Sequence, residues 1–158
     1  MEALLDALLA WIGDNTDHDV SRIDPPAIVL MTPQELTLEY YTGGNAAHLV
    51  PEDGVDERLN ALYAYTDGPN GTIYALAPEH VDHAGAFQEP TDNPLFREIL
   101  QHELVHHVQW ETGEADDWAC AREGEYQAYL LGGRYLRKTR TPDPMPNRNF
   151  WMTIYGRC

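Results

Sequence analysis

A chain of 158 residues, 43% of them hydrophobic, has the length and composition of one domain with one sizeable core, not two. Its formal net charge of −16 argues against nucleic acid or an anionic membrane as a partner, because phosphate groups are repelled. No stretch approaches the ~20 apolar residues that a membrane-spanning helix needs.

The N-terminal MEALLDALLAWIGDNTD has no basic region, and Glu2 and Asp6 interrupt its apolar run. It reads as an amphipathic helix over residues 2–12 and not as a signal peptide. Leu4, Leu5, Leu8, Leu9, Trp11 and Ile12 lie on its apolar side, and Gly13 is the expected stop. A cytoplasmic protein is the expectation, with export by another route left open.

Asp24-Pro25-Pro26 is a linker, and Ala27–Met31 is a short apolar strand. Thr32, Pro33 and Glu35 form a capping box at the start of a second helix, expected to end near Gly43-Gly44. Residues 45–58 are polar and loop-rich. Strands at Leu62–Thr66 and Thr72–Ala77 flank Asp67-Gly68-Pro69-Asn70-Gly71, a hairpin turn signal. A long connection, residues 78–93, leads to Asn93 as N-cap and Pro94 as first residue of a third helix, ending at Thr112 before Gly113. Asp116 or Asp117 is the expected cap of a fourth helix reaching Lys138. Within it, Gly132-Gly133 weakens the helix or admits a close neighbour. The tail, 139–158, opens with three prolines and closes with Phe150, Trp151 and Tyr155. It is expected to fold back and cover those aromatics.

The order helix, strand, helix, hairpin, helix, helix predicts a single α+β domain, a small mixed or antiparallel sheet packed against helices. Residues 1–93 supply helices and sheet, 94–138 the two helices of the site, and 139–158 the returning tail. The charge follows this division unevenly. Residues 1–120 hold 23 acidic and 3 basic side chains, whereas residues 121–158 hold 3 and 7, so the basic tail is suited to an acidic body. Cys120 and Cys158 form no CxxC pair. Free, partly buried thiols are expected in a reducing compartment, and a bridge tying down the C-terminus is the alternative for an exported chain.

His102-Glu103-Leu104-Val105-His106 is an HExxH sequence. Residues i and i+4 of a helix share a face, so both imidazoles can reach one zinc ion. Glu103 is turned too far to be a third ligand but can reach a water beside the ion and take its proton. A third ligand is required. Glu123 and Glu125 on the next helix are the candidates, and two residues apart they cannot both face the metal.

The pattern resembles the gluzincins, zinc peptidases of the zincin fold in which a second-helix glutamate completes the HExxH site. Eighteen residues separate His106 from Glu125, the gap of the gluzincin aminopeptidases, and Glu125-Tyr126-Gln127-Ala128-Tyr129 is similar to the ExxA[D/N] helix of other zincins. The resemblance covers residues 94–137. It implies a zincin-like fold, zinc held by His102, His106 and Glu125, Glu103 as catalytic base, and a peptide or protein substrate. Ala128 would let the two helices approach. Tyr129 stands where related families carry Asp or Asn to hold a ligand histidine. Thr72–Ala77 fits the edge strand with which zincins pair extended substrate. A catalytically inert or regulatory zinc module on the same scaffold is the alternative.

Metzincins carry Gly and His where Gln109 and Thr112 stand, and a di-iron bundle would need a second ExxH. His107 points away from His106 and is expected beside the site or at the surface. His80 and His83 read as loop histidines. Tyr129, Tyr135 and Tyr155 are oxyanion-stabilising candidates by residue type alone.

Overall fold

The computed structural model describes residues 1–43 and 47–158. Among these residues are five α-helices and a three-stranded mixed sheet: α1 Glu2–Asn15, β1 Ala27–Met31, α2 Pro33–Gly43, β2 Ala61–Ala64, β3 Thr72–Leu76, α3 Pro94–Glu111, α4 Glu123–Thr139 and α5 Arg148–Tyr155. The α+β class is as expected. The part of the second helix expected at Gly44, and the first residues of the following loop, lie outside the described residues.

Local chemistry accounts for most boundaries. At α2 the backbone N–H and hydroxyl of Thr32 both donate to Glu35 Oε2 at 2.9 Å, and the Glu35 N–H returns to Thr32 Oγ1 at 3.3 Å. At α3 Asn93 Oδ1 accepts from the Leu95 N–H at 3.0 Å, while its amide donates to the Asp82 carbonyl at 2.8 Å. Such caps satisfy donors that the first helical turn leaves free. Helix α1 runs through Gly13 to Asn15 instead of stopping. Asn15 and Thr16 side chains donate to the Trp11 and Ile12 carbonyls, and a Cβ at Gly13 would stand 2.6 Å from Val20. This glycine therefore makes room for the returning chain.

The strand order is β1-β3-β2, with β1 parallel and β2 antiparallel to β3. Thr72–Leu76 is thus the central strand, not the edge strand expected. The hairpin partner β2 covers one side, and β1, arriving by the α2 crossover, covers the other. The free edge nearest α3 belongs to β2, and the apolar β1 forms the opposite edge with Val29 and Leu30 exposed.

Helix α3 is the centre of the packing. It lies against α4, α1 and β2. Phe96, Leu100, Leu104, Val105 and Val108 are buried there with Ile12, Ile73, Ala128, Leu131 and Leu136. Full burial of each large apolar chain contributes about 1.5–3 kcal/mol. Ala128 sits wholly buried on α4, the helix packed most extensively against α3.

The fourth helix begins later than expected. Glu114–Asp117 form a short 3-10 turn, and α4 starts at Glu123, after Cys120. The expectation of free thiols is also corrected: Cys120 and Cys158 are joined, with Cα atoms 5.9 Å apart and a separation of 38 positions in sequence. The bridge fastens the chain's last residue to the segment just before α4. Closing a loop of that size restricts the unfolded chain by about 4 kcal/mol in the chain-entropy account, and native bridges deliver about 2–4. Cys120→Ser/Cys158→Ser should lower unfolding free energy by that amount in urea denaturation. A loss below about 0.5 kcal/mol would show that the bridge does not constrain the chain.

The tail does fold back, as α5 against α4. Its aromatics are not covered, however. Met152 is the buried residue of α5, while Phe150, Trp151, Ile154 and Tyr155 remain exposed.

No helix of the described residues is long and apolar enough to cross a membrane.

Candidate metal centre

Helix α3 places His102 and His106 one turn apart, their ring centroids separated by 5.1 Å. The first turn of α4 faces them with Glu125. Glu125 Oε2 lies 3.2 Å from His102 Nε2, and Oε1 lies 3.6 Å from His106 Nε2. One ligand atom from each residue falls within 4.8 Å of the others, and this is the one such group of three among the described residues. Zinc bonds of ~2.0–2.2 Å in tetrahedral array put neighbouring ligand atoms ~3.4 Å apart. The spacing and the chemistry of the donor set fit that ion.

Glu123 does not join the group. At the first residue of α4, its Oε1 accepts from the Ala119 N–H at 3.0 Å, bonding it to the preceding turn. Of the two glutamates, Glu125 is the one brought to the histidines.

Charge and burial act together here. Burial lowers the proton affinity of His102, but the hydrogen bond to Glu125 and the nearby carboxylates outweigh it and raise the pKa overall. Burial works to raise the pKa of Glu125, yet the hydrogen bonds from both histidines hold it well below the usual carboxylate range. Glu103 is 8% exposed, and burial raises its pKa against the opposing pull of His102 and His106.

These residues open into a cavity of about 550 Å³. Glu98, His102, Glu103, Glu125 and Tyr129 form its floor. Arg58, Asn60 and Ala61 approach from the β2 side, and Met145, Arg148, Trp151 and Tyr155 from the tail. The tail is therefore a wall of the site. Tyr129 packs its ring edge-on to His102 at 4.7 Å and stacks on Tyr155 at 5.6 Å, which in turn stacks on Trp151 at 5.5 Å. Tyr135 lies elsewhere, buried edge-on to Trp11 at 5.5 Å.

Arg148 holds this wall. Its Nη1 donates to Glu98 on α3 at 2.9 Å, and its Nε and Nη2 donate to Asp143 at 2.7 and 2.9 Å. A Cβ at Gly132 would stand 2.2 Å from Glu98 Oε1 and 3.0 Å from Arg148 Nη1. The Gly132-Gly133 pair thus creates the space in which the ion pair sits, the close approach anticipated for it.

His107 is neither at the surface nor part of the His102–His106–Glu125 group. It is fully buried, with Nε2 2.9 Å from the Asp24 carbonyl and Nδ1 3.1 Å from the Tyr63 hydroxyl. A carbonyl can only accept, so Nε2 carries the proton and Nδ1 accepts from Tyr63. Burial lowers the pKa of His107 and pushes that of Tyr63 up to about 12. This histidine pins the linker to the hairpin. His80 lies in a 3-10 turn and His83, at φ 65°, caps another; neither lines the metal cavity.

Sequence reasoning missed Gln109, Glu98 and Arg148. Gln109 lies three residues beyond His106 on the same helix, which is the available signal. Its Oε1 is 3.1 Å from His106 Nδ1. Nothing in local sequence points to the Glu98–Arg148 pairing across 50 residues.

The fold and site define an α+β domain with two histidines and a glutamate converging on one point from two packed helices. The chain belongs to the DUF6647 family, a domain of unknown function whose family model matches residues 1–155. Searches of curated proteins and of solved structures returned no match.

Proposed function

We propose that this protein is a zinc-dependent metallopeptidase of the zincin kind, its gluzincin-like site formed by His102, His106 and Glu125 with Glu103 as general base. The observation that carries the reading is the convergence of His102, His106 and Glu125, whose ligand atoms lie within 4.8 Å of one another, a donor set and spacing that a zinc ion can share. Zinc bound there supplies Lewis acidity, polarising a carbonyl and acidifying a nearby water.

The chain's own residues do the rest. Glu103 accepts a proton from water at its carboxylate and returns it to the departing amine nitrogen. Its burial supports that role, since a raised proton affinity suits a group that must both take and give a proton near neutrality. The free edge of β2 begins at Ala61, next to Asn60 in the cavity wall, and an extended peptide can pair along it. Tyr129 and Tyr155 line the cavity and are the two tyrosines suited to stabilise an oxyanion. The Cys120–Cys158 bridge favours an exported protein in an oxidising compartment.

Metal analysis tests the ligand set. Wild type and Glu123→Ala should each retain one zinc per chain after dialysis, and Glu125→Ala should retain little. Zinc lost from Glu123→Ala alone would overturn the assignment.

A further inference from the structure

The two ends of a ligand imidazole are not independent: whichever ring nitrogen carries the proton, the other has the lone pair. His106 can offer its Nε2 lone pair to a metal only while its proton stays on Nδ1; without a metal, Glu125 Oε1 at 3.6 Å competes for a proton on Nε2. The atom facing Nδ1 therefore decides whether the ligand is ready.

That atom is the amide oxygen of Gln109. Its identity follows from bonding partners. The other arm of the Gln109 amide lies 3.3 Å from the Gly124 carbonyl and 3.0 Å from Gln127 Oε1. The backbone carbonyl accepts and never donates, so the arm facing it is the NH2 group. The arm facing His106 at 3.1 Å is then the oxygen, which only accepts. His106 must supply the proton from Nδ1. Gln109 is completely buried, so no solvent competes for these bonds.

The surroundings are shaped to hold it. A Cβ at Gly124 would stand 2.8 Å from Gln109 Oε1 and 2.5 Å from the Trp118 ring. Glycine at 124 leaves the space for the amide. Gly124 and Gln127 flank Glu125 on α4, so the amide that orients one ligand also ties α3 to the helix turn bearing another. Tyr129, standing where related families carry an Asp or Asn, meets His102 with its ring at 4.7 Å.

We propose that Gln109, braced by Gln127 and the Gly124 carbonyl, is the positioning residue that holds His106 with its lone pair toward the metal. The proposal rests on the zinc reading above. It assigns to the HExxH helix itself a task that the resemblance places at position 129.

Two measurements test it. Zinc affinity is read by competition with a chromophoric chelator, and the His106 tautomer by long-range proton–nitrogen NMR of the metal-free protein at a pH where the ring is neutral. Gln109→Met preserves volume and removes the strong acceptor. It should weaken zinc binding by about 10- to 100-fold and shift His106 toward the Nε2-protonated form. Gln109→Glu keeps an acceptor for Nδ1 but loses the donor that faces the Gly124 carbonyl, so it should restore the Nδ1-protonated tautomer while recovering only part of the affinity. Gln127→Met, which removes the brace on a half-buried position, should give a smaller loss of affinity without unfolding the chain. Zinc affinity within threefold of wild type in Gln109→Met, with an unchanged tautomer, would overturn the proposal. A wild type that binds no zinc would sink the metal reading, while the tautomer still reports on Gln109.

Discussion

Glu103→Gln should lower peptide hydrolysis by about 10²–10⁴-fold, the usual contribution of a positioned general base, and leave zinc content unchanged. Glu103 is 8% exposed, lies in the floor of the cavity and is not among the three converging residues His102, His106 and Glu125. Glutamine has the same length and volume, so the packing of α3 is undisturbed. What disappears is the capacity to accept a proton from water. Burial already raises the affinity of Glu103 for that proton, and the nearby histidines temper the effect. Turnover of a quenched-fluorescence peptide library and metal analysis of the same preparation make the comparison. Full activity with zinc bound would remove Glu103 from the mechanism. Zinc lost together with activity would make it a structural support for the ligands.

Arg148→Met should cost about 3–5 kcal/mol of unfolding free energy, the penalty for stripping a buried ion pair of one partner. In a chain of this length that lowers the melting temperature by roughly 6–20 °C. The Arg148 side chain is 9% exposed and Glu98 11%, so the removed cation would leave a carboxylate with little access to water. Asp143, more exposed, would be far less affected. Adding Glu98→Gln to Arg148→Met should recover a substantial part of the loss, because the buried charge is then gone. Urea denaturation of the single and double variants decides it. A single-variant loss under 1 kcal/mol would mean that water already screens the pair. The tail would then be held by the disulfide, its aromatic stack and the packing of Met152 against α4.

Both expectations concern the same cavity, but they were legible to different degrees. Glu103 and its two histidines could be read directly, because an i, i+4 pair on a capped helix has one geometry. Asn93-Pro94 and the Thr32–Glu35 box located two helix starts for a similar reason: the bonding partners lie within three residues. Gln109 was within reach by the same rule, three residues beyond His106. Its task also depends on Gly124 and Gln127, which belong to another helix.

The rest depended on contacts across long stretches of chain. The choice between Glu123 and Glu125 required the start of α4, and that start is set by the turn around Cys120. The strand Thr72–Leu76 was recognisable, but its central place in the sheet depends on β1 arriving parallel to it from 45 residues upstream. His107 resembled a neighbour of the site until its partners, Asp24 and Tyr63, were placed.

The sequence by itself therefore determined the α+β class, the capped α3 helix and the shared face of His102 and His106. These follow from hydrogen bonding and side-chain direction within a few residues. Only the tertiary structure decided that Glu125 completes the triad, that Cys120 meets Cys158, and that Arg148 seats the tail against the cavity. Those outcomes depend on which distant groups satisfy one another's charge, hydrogen bonds and volume once buried, and local spacing does not encode that choice.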